Sequence, residues 1–303
     1  MSERLTVAIP FYRNVDYLRS ALDSVRAQRC DDWTAIVCDD AGRDCGAGDL
    51  VESLGDSRIA YVSNEANLGM ARSWNLCIDR ADTDLVTLLH ADDRLAPGYV
   101  GRMLELARAW PDSAALCCAA SIIGPTGRAA FSLADSVKRF YVPRGGDPLA
   151  LHGEPALAAV MAGNFIMCPT LCFRKTVLGS RRFDTTWKQV PDLELTARLL
   201  MDGDTIVYTR AVEYAYRRHP EATTALQSET RLRFDEEIDL FDRVAARAED
   251  LGWTRAARTA RSKTIVKLHL AYRTLGGLAR LDLAGASGWL RYLLGVGSAR
   301  PPR

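Results

Sequence analysis

The chain has 303 residues, 48% hydrophobic and 25% charged, with a net charge of +1, an ordinary balance for a soluble globular protein with one large domain and an appendage, or two small domains. Its eight cysteines show no CxxC spacing and several sit inside apolar runs, which argues against a disulfide framework or zinc site and for reduced thiols in a cytosolic compartment. Met1-Ser2-Glu3-Arg4 leads straight into a strand-like run rather than a signal peptide, and no stretch reaches the roughly eighteen uncharged apolar residues of a membrane span.

Leu5-Thr6-Val7-Ala8-Ile9 reads as a short buried strand stopped by Pro10. Asn14 can cap a helix running to about Gln28, with Leu18, Leu22 and Val25 on one face. Strands follow at Thr34 to Cys38 and Arg58 to Val62, a helix from Met70 to Arg80, and a strand ending at His90. A helix from Gly98 to Trp110 and a strand from Ala114 to Ile123 continue the alternation. Repeated β-α-β units with short loops imply a parallel, doubly wound sheet. Residues 124–165 read as irregular, with a loop at Gly145-Gly146-Asp147-Pro148 and a short helix from Glu154 to Ala162. Leu171-Cys172-Phe173 looks like a strand, Asp192 to Met201 a helix, and Thr205 to Tyr216 strands turned around Arg210.

After Ala225 the chain reads as helical, with Phe234, Ile238, Phe241 and Val244 on one face. Ile265, Leu268, Tyr272 and Leu275 form a further stripe, read as core-facing, with a membrane anchor as the alternative. Leu251 to Arg303 carries ten basic residues and one acid, a local net of +9, which leaves −8 on the first 250 residues. Such asymmetry suggests that the tail meets an anionic surface such as phospholipid; a solvated helical face is the plainer reading.

The chemistry concentrates where apolar runs end in acids. Leu85-Val86-Thr87-Leu88-Leu89 closes on His90-Ala91-Asp92-Asp93. In open α/β sheets ligands bind just outside the carboxyl ends of strands, and adjacent carboxylates repel unless positive charge sits beside them. A divalent cation held by oxygen ligands and bound to phosphate meets that need; a loop pair capping the helix after Pro97 is the plainer alternative. Asp39-Asp40 repeats the pattern one strand away, and this second pair can accept hydrogen bonds from a nucleobase or ribose. No GxGxxG follows the first strand and no GxxxxGK[ST] occurs, which disfavours a dinucleotide fold or P-loop NTPase.

Six segments then fall in a telling order. They are Val7-Ala8-Ile9-Pro10-Phe11-Tyr12; Trp33 to Asp40; Asn67-Leu68-Gly69 followed by Ser73-Trp74-Asn75; Leu88 to Asp93; Pro191-Asp192-Leu193-Glu194-Leu195 with Arg198; and Tyr216-Arg217-Arg218-His219-Pro220. Together, over roughly residues 5–220, they resemble the family 2 glycosyltransferases, a large inverting group with the GT-A fold. The chain departs from the family's pattern in two places: His90 replaces the first acid of the D-x-D metal motif, and Pro191 replaces an acid before Asp192.

The resemblance implies an α/β, Rossmann-like, doubly wound and mostly parallel sheet. Residues 1–225 would form the GT-A domain, with a nucleotide-sugar half to about 123 and an acceptor half beyond; residues 226–303 would be a basic helical extension. It implies Mn²⁺ or Mg²⁺ held by Asp93 with Asp92. Nucleotide would be bound by Pro10, Phe11, Tyr12, Asp39, Asp40, Asn67, Gly69, Asn75 and Asp92, although Asn75 also suits a buried backbone group. Asp192 would be the base, though an ordinary helix N-cap is the alternative. His219, Arg217 and Arg218 would touch the diphosphate unless His219-Pro220 is merely a turn. Asn164 and Glu194 fall on the acceptor side. His90 is given no ligand role, because imidazole prefers softer metals than Mg²⁺.

The expected partners are a nucleotide sugar, UDP-linked, and a glycan or lipid-linked acceptor, with no nucleic acid. The expected activity is inverting sugar transfer in cell-surface or exopolysaccharide synthesis, at the cytoplasmic face of the plasma membrane. A sugar-nucleotide nucleotidyltransferase is disfavoured, since Pro10-Phe11-Tyr12-Arg13-Asn14 replaces the Gly-rich loop such enzymes carry. A non-catalytic nucleotide-binding scaffold of the same fold is the alternative that Pro191 keeps open.

Overall fold

The computed structural model describes residues 3–40, 45–220 and 231–296. Its organising element is β1 (Leu5–Phe11), in which every residue except Pro10 is buried. Leu5, Val7 and Ile9 enter one hydrophobic cluster and Ala8 another, the period-two division of a strand covered on both faces. The strand runs past Pro10, where a stop was expected. Its ladder to the next parallel strand already ends at Ala8 opposite Leu88, so the missing N–H breaks no bond.

Asn14 caps α1 (Val15–Arg26) by accepting from Tyr17 N, and Leu18, Ala21, Leu22 and Val25 are its buried face. Next come β2 (Trp33–Asp39) and α2 (Ala47–Leu54), the latter a helix the sequence did not reveal. β3 (Ile59–Ser63), α3 (Met70–Arg80) and β4 (Leu85–Leu88) fall where expected. The short β5 (Arg94–Leu95) precedes α4 (Tyr99–Ala109) and β6 (Ala115–Ile123). The stretch read as irregular holds α5 (Leu133–Arg139) and β7 (Leu149–Leu151) before α6 (Gly153–Gly163). β8 (Cys172–Arg174), α7 (Lys175–Leu178), α8 (Pro191–Met201) and β9 (Ile206–Arg217) follow.

Among the described residues the strands form one sheet in the order β3-β2-β1-β4-β8-β6-β9-β5, with β7 also paired to β9. β1 pairs in parallel with β2 and β4, β2 with β3, and β6 with β9. β8 is antiparallel to both β4 and β6, as are β5 and β7 to β9. The sheet is thus mixed and mostly parallel, flanked by helices on both faces. β9 is one strand rather than two turned about Arg210. Register shifts opposite Cys118, Ala119 and Ala120 absorb its extra residues as bulges. Arg210 there ties down the 143–147 loop through Asp147 and the carbonyls of Pro143 and Gly146.

The C-terminal helices are α9 (Leu232–Asp250), α10 (Thr254–Ser262), α11 (Thr264–Ala279) and α12 (Leu283–Gly295). Phe234, Ile238, Phe241 and Val244 of α9 share a buried cluster with Leu157 and Leu193, so the extension closes over one face of the sheet. The stripe on α11 is a correction: the helix buries Val266, Leu270 and Thr274, while Leu268, Tyr272 and Leu275 are exposed. Lys263 is buried against Asp242. All eight cysteines are free thiols.

Candidate active site

β1, β2 and β4 deliver their carboxyl ends to one edge of the sheet. Phe11 is in register with Asp39, and β4 ends opposite Ala8. That edge gathers Pro10 to Tyr12, Asp39-Asp40 and His90 to Asp93, in the position where open α/β sheets bind ligands. Tyr12 is 55% exposed there, whereas the Phe11 ring is core, which leaves that residue only its backbone to offer a ligand.

Asp39 is buried and accepts from Tyr61 Oη at 2.7 Å and Cys45 Sγ at 3.1 Å. Burial and the Asp39 carboxylate together push the Tyr61 phenol up to about 12. Asp40 spends its oxygens on the following loop, accepting from Asn64 Nδ2, Leu68 N and Gly69 N at 2.8–3.1 Å. Gly69 N also donates to Asn67 Oδ1. The positive φ of Gly69, +79°, is open to glycine at little cost and shapes this turn. Asp40 therefore organises the loop that carries Asn67 and Gly69. Asn75 takes up the buried-backbone role its position also suited: its amide exchanges two hydrogen bonds with the Phe183 backbone, at 2.8 and 2.9 Å. It joins α3 to the 183 segment.

The two acids after β4 differ sharply. Asp93 is 0% exposed; its oxygens accept from Arg217 N at 2.7 Å and Tyr214 Oη at 2.9 Å. Burial and the charge of Asp92 push its carboxyl well above the usual carboxylate range. Asp92 is only half-buried and pairs with His219 Nε2 at 3.0 Å. Burial pushes its pKa up, but the His219 hydrogen bond and neighbouring positive charge outweigh this and hold it below the usual range. A ring nitrogen of His90 and carboxylate oxygens of Asp92 and Asp93 all lie within 4.8 Å of one another. His90 Nε2 is buried with no hydrogen-bond partner. A strained carboxylate pair beside an unpaired imidazole nitrogen fits a divalent cation.

Of the Tyr216-Arg217-Arg218-His219 segment, His219 meets the Asp92 carboxylate with its side chain. Arg217 is buried, donating to the carbonyls of Asp92, Gly124 and Pro125 and lying over the Tyr17 ring at 4.6 Å. Arg218 makes a two-pronged pair with Asp135, its closest contacts at 2.8 Å. Both arginines thus hold the chain locally, while Nη2 of Arg217 is buried without a hydrogen-bond partner among the described residues.

Asp192 lies in the first turn of α8, and the N-cap is Val190, so Asp192 is not an ordinary cap. Burial pushes its carboxyl up, opposed by the Leu193 backbone N–H and the charges of Lys138 and Arg233. Lys138 in turn interacts with Asp135 and Arg218, and Arg218 with Asp93. Of these groups, Arg218 and Asp135 are in direct contact. Glu194 is occupied by a two-pronged pair with Arg198, at 2.8 and 3.1 Å. Asn164 terminates α6 in the left-handed region, at φ +40°. Sequence reasoning missed Lys138, Asp135, Arg233 and Tyr214. The first two sit in a helix without strong apolar periodicity; Tyr214, two residues before Tyr216 on β9, was discoverable as its same-face neighbour.

With 97% of the chain covered, the fold superposes on 81% of S. aureus TarS 1–349, solved with UDP-GlcNAc, at a TM-score of 0.67 and 15% identity. It superposes at 0.63 on the mannosyltransferase PcManGT of Pyrobaculum calidifontis, solved with GDP-Man and Mn²⁺, at 15% identity over 98% of this chain and 84% of that one. The architecture is that of the GT-A proteins. The chain belongs to glycosyl transferase family 2, whose model matches residues 6–165. Among relatives, the succinoglycan biosynthesis protein ExoW of Rhizobium meliloti is 31% identical over 188 residues, 60% of this chain and 56% of that protein. The teichoic acid poly(glycerol phosphate) polymerase of Staphylococcus epidermidis is 27% identical over 104 residues, 34% of this chain and 14% of that one. The chain thus spans less than two thirds of either relative.

Proposed function

We propose that the protein is a metal-assisted, inverting glycosyltransferase of the hexosyltransferase type. It moves sugar from a UDP-linked donor to a hydroxyl of a glycan or lipid-linked acceptor, in cell-surface or exopolysaccharide synthesis. The observation that carries this reading is the half-buried Asp92, paired with His219 and packed beside His90 and Asp93 at the exit of β4. Asp92 offers the accessible carboxylate for Mn²⁺ or Mg²⁺, and Asp93 sets the geometry behind it. A divalent ion there supplies Lewis-acid neutralisation of the leaving diphosphate. Asp39, Asp40 and the backbone of Pro10 to Tyr12 hold base and ribose, Asp40 by fixing the loop of Asn67 and Gly69. His219 donates to a diphosphate oxygen.

Asp192 takes the proton of the acceptor hydroxyl as its oxygen bonds to the anomeric carbon and the bond to the diphosphate breaks on the opposite face. The presence of a succinoglycan and a teichoic acid protein among the relatives supports a polysaccharide product. Asp192→Asn should bind UDP as the wild type does by isothermal titration, while sugar transfer falls about 100-fold or more. Undiminished transfer removes Asp192 as the base. A wild type that binds UDP yet turns over no donor favours the alternative, a nucleotide-binding scaffold in a membrane-associated assembly.

The same reading places the protein peripherally on the cytoplasmic face of the plasma membrane. No described helix is long and apolar enough to cross a bilayer. The α11–α12 hairpin nevertheless exposes Leu268, Tyr272, Leu275, Leu278, Leu281 and Leu283, with Arg280 and Arg291 also exposed. Apolar side chains flanked by cations suit the boundary of an anionic leaflet.

A further inference from the structure

We propose that His90 is itself a ligand of the divalent cation, through a ring nitrogen, and that it biases the site toward Mn²⁺ over Mg²⁺. This rests on the metal-assisted reading above and adds the identity of a ligand and the class of metal. Three observations carry it. First, a ring nitrogen of His90 lies within 4.8 Å of both the Asp92 and Asp93 carboxylate oxygens. Two ligands on opposite sides of one ion, with bonds of about 2.1 Å, stand roughly 4.2 Å apart. Adjacent ligands stand closer, at roughly 3 Å, and small side-chain rotations bring the groups within these spans.

Second, Nε2 of His90 is buried and meets no donor or acceptor among the described residues. Buried polar atoms nearly always have a partner, and one beside two carboxylates calls for a positive one. Third, the ring is held rather than loose. It stacks on Trp74 at 5.2 Å with planes 24° apart, and Trp74 is braced against Phe183 at 5.1 Å.

The sequence made His90 look like a lost ligand, because it stands where the family's motif carries an acid. The structure makes it an exchanged one. A nitrogen donor is poorly matched to Mg²⁺, which prefers oxygen and retains its water, and better matched to transition ions.

The test is pulsed electron paramagnetic resonance on the full-length protein loaded with MnCl₂, with and without UDP, reading the ¹⁴N coupling of a bound imidazole. Because His219 adjoins Asp92, the comparison is made in a His219→Gln background. The ¹⁴N coupling should persist in His219→Gln and vanish in the His90→Gln/His219→Gln double variant while Mn²⁺ still binds. His90→Asn supplies the same comparison if the Gln form does not fold. In parallel, His90→Asp should lower the Mn²⁺:Mg²⁺ affinity ratio about tenfold, the scale on which changes around a metal site act. Coupling absent from His219→Gln, or equal ratios in His90→Asp and wild type, overturns the role of His90 alone. No Mn²⁺ binding by any form overturns the metal-assisted reading as well.

Discussion

Adjacent residues of one type do different work here because a single step along the chain changes burial and partners. Asp93 holds Tyr214 and Arg217 N, while Asp92 is only half-buried and pairs with His219. Asp92→Asn should therefore abolish Mn²⁺ binding and transfer with little change in stability. Asp93→Asn should cost about 1–3 kcal/mol, because an amide nitrogen must face one of those two donors; urea unfolding of both variants separates them. Equal stabilities would erase the distinction. The sequence made both acids legible as a pair but assigned the metal chiefly to Asp93, since burial is invisible in the string Ala91-Asp92-Asp93. At Asp192 the pH dependence has a definite sign. The base must be ionised and burial raises its pKa, so the acid limb of kcat/KM lies above that of an ordinary aspartate, whose pKa is about 3.9. Lys138→Met removes a cation that opposes this shift, so the limb should move further up; a limb moving down contradicts the influence of Lys138 on Asp192.

Elements were legible where periodicity and caps agree. α3 starts and stops at the residues expected, and Asn14 caps α1 as read. α2 and α5 are short, at 8 and 7 residues, too few turns for an apolar pattern to stand out. The α11 stripe failed for another reason. The helix has apolar residues on two faces, and only tertiary packing decides that Val266 and Leu270 go inward. The outward face then makes a prediction about the hairpin. Leu275→Asp with Leu281→Asp should weaken co-sedimentation with anionic liposomes, and raised salt should weaken the wild type. Unchanged sedimentation dismisses the surface. At the α9–α11 contact, His269 packs against Phe234 at 5.0 Å. Burial, helped by Arg233 and Arg273, lowers its pKa to about 4. The unfolded chain, with a histidine pKa near 6.5, therefore binds more protons between these values. Stability should fall as pH drops from about 6.5 to about 4, by at most about 1.4 kcal/mol per unit. His269→Phe should flatten that slope in thermal unfolding; an unchanged slope would place its origin elsewhere.

For the whole molecule, the alternation of buried strands and amphipathic helices predicted a doubly wound, mostly parallel sheet, and the six-segment resemblance predicted the GT-A class; the antiparallel β8 was not legible, because a three-residue strand carries no direction in its composition. What the sequence could not supply is closure: α9 to α12 pack over the sheet and bring Arg233 to Asp192, a meeting of segments far apart in the chain. The account depends on acids from β2, β4 and α8 serving one reaction on one nucleotide sugar. The direct measurement is chromatographic detection of the nucleoside diphosphate released from a panel of UDP- and GDP-sugars by the protein with MnCl₂. The account predicts release from a UDP-sugar that stops with EDTA and is lost in Asp92→Asn; no release from any donor, or release indifferent to both, would contradict it.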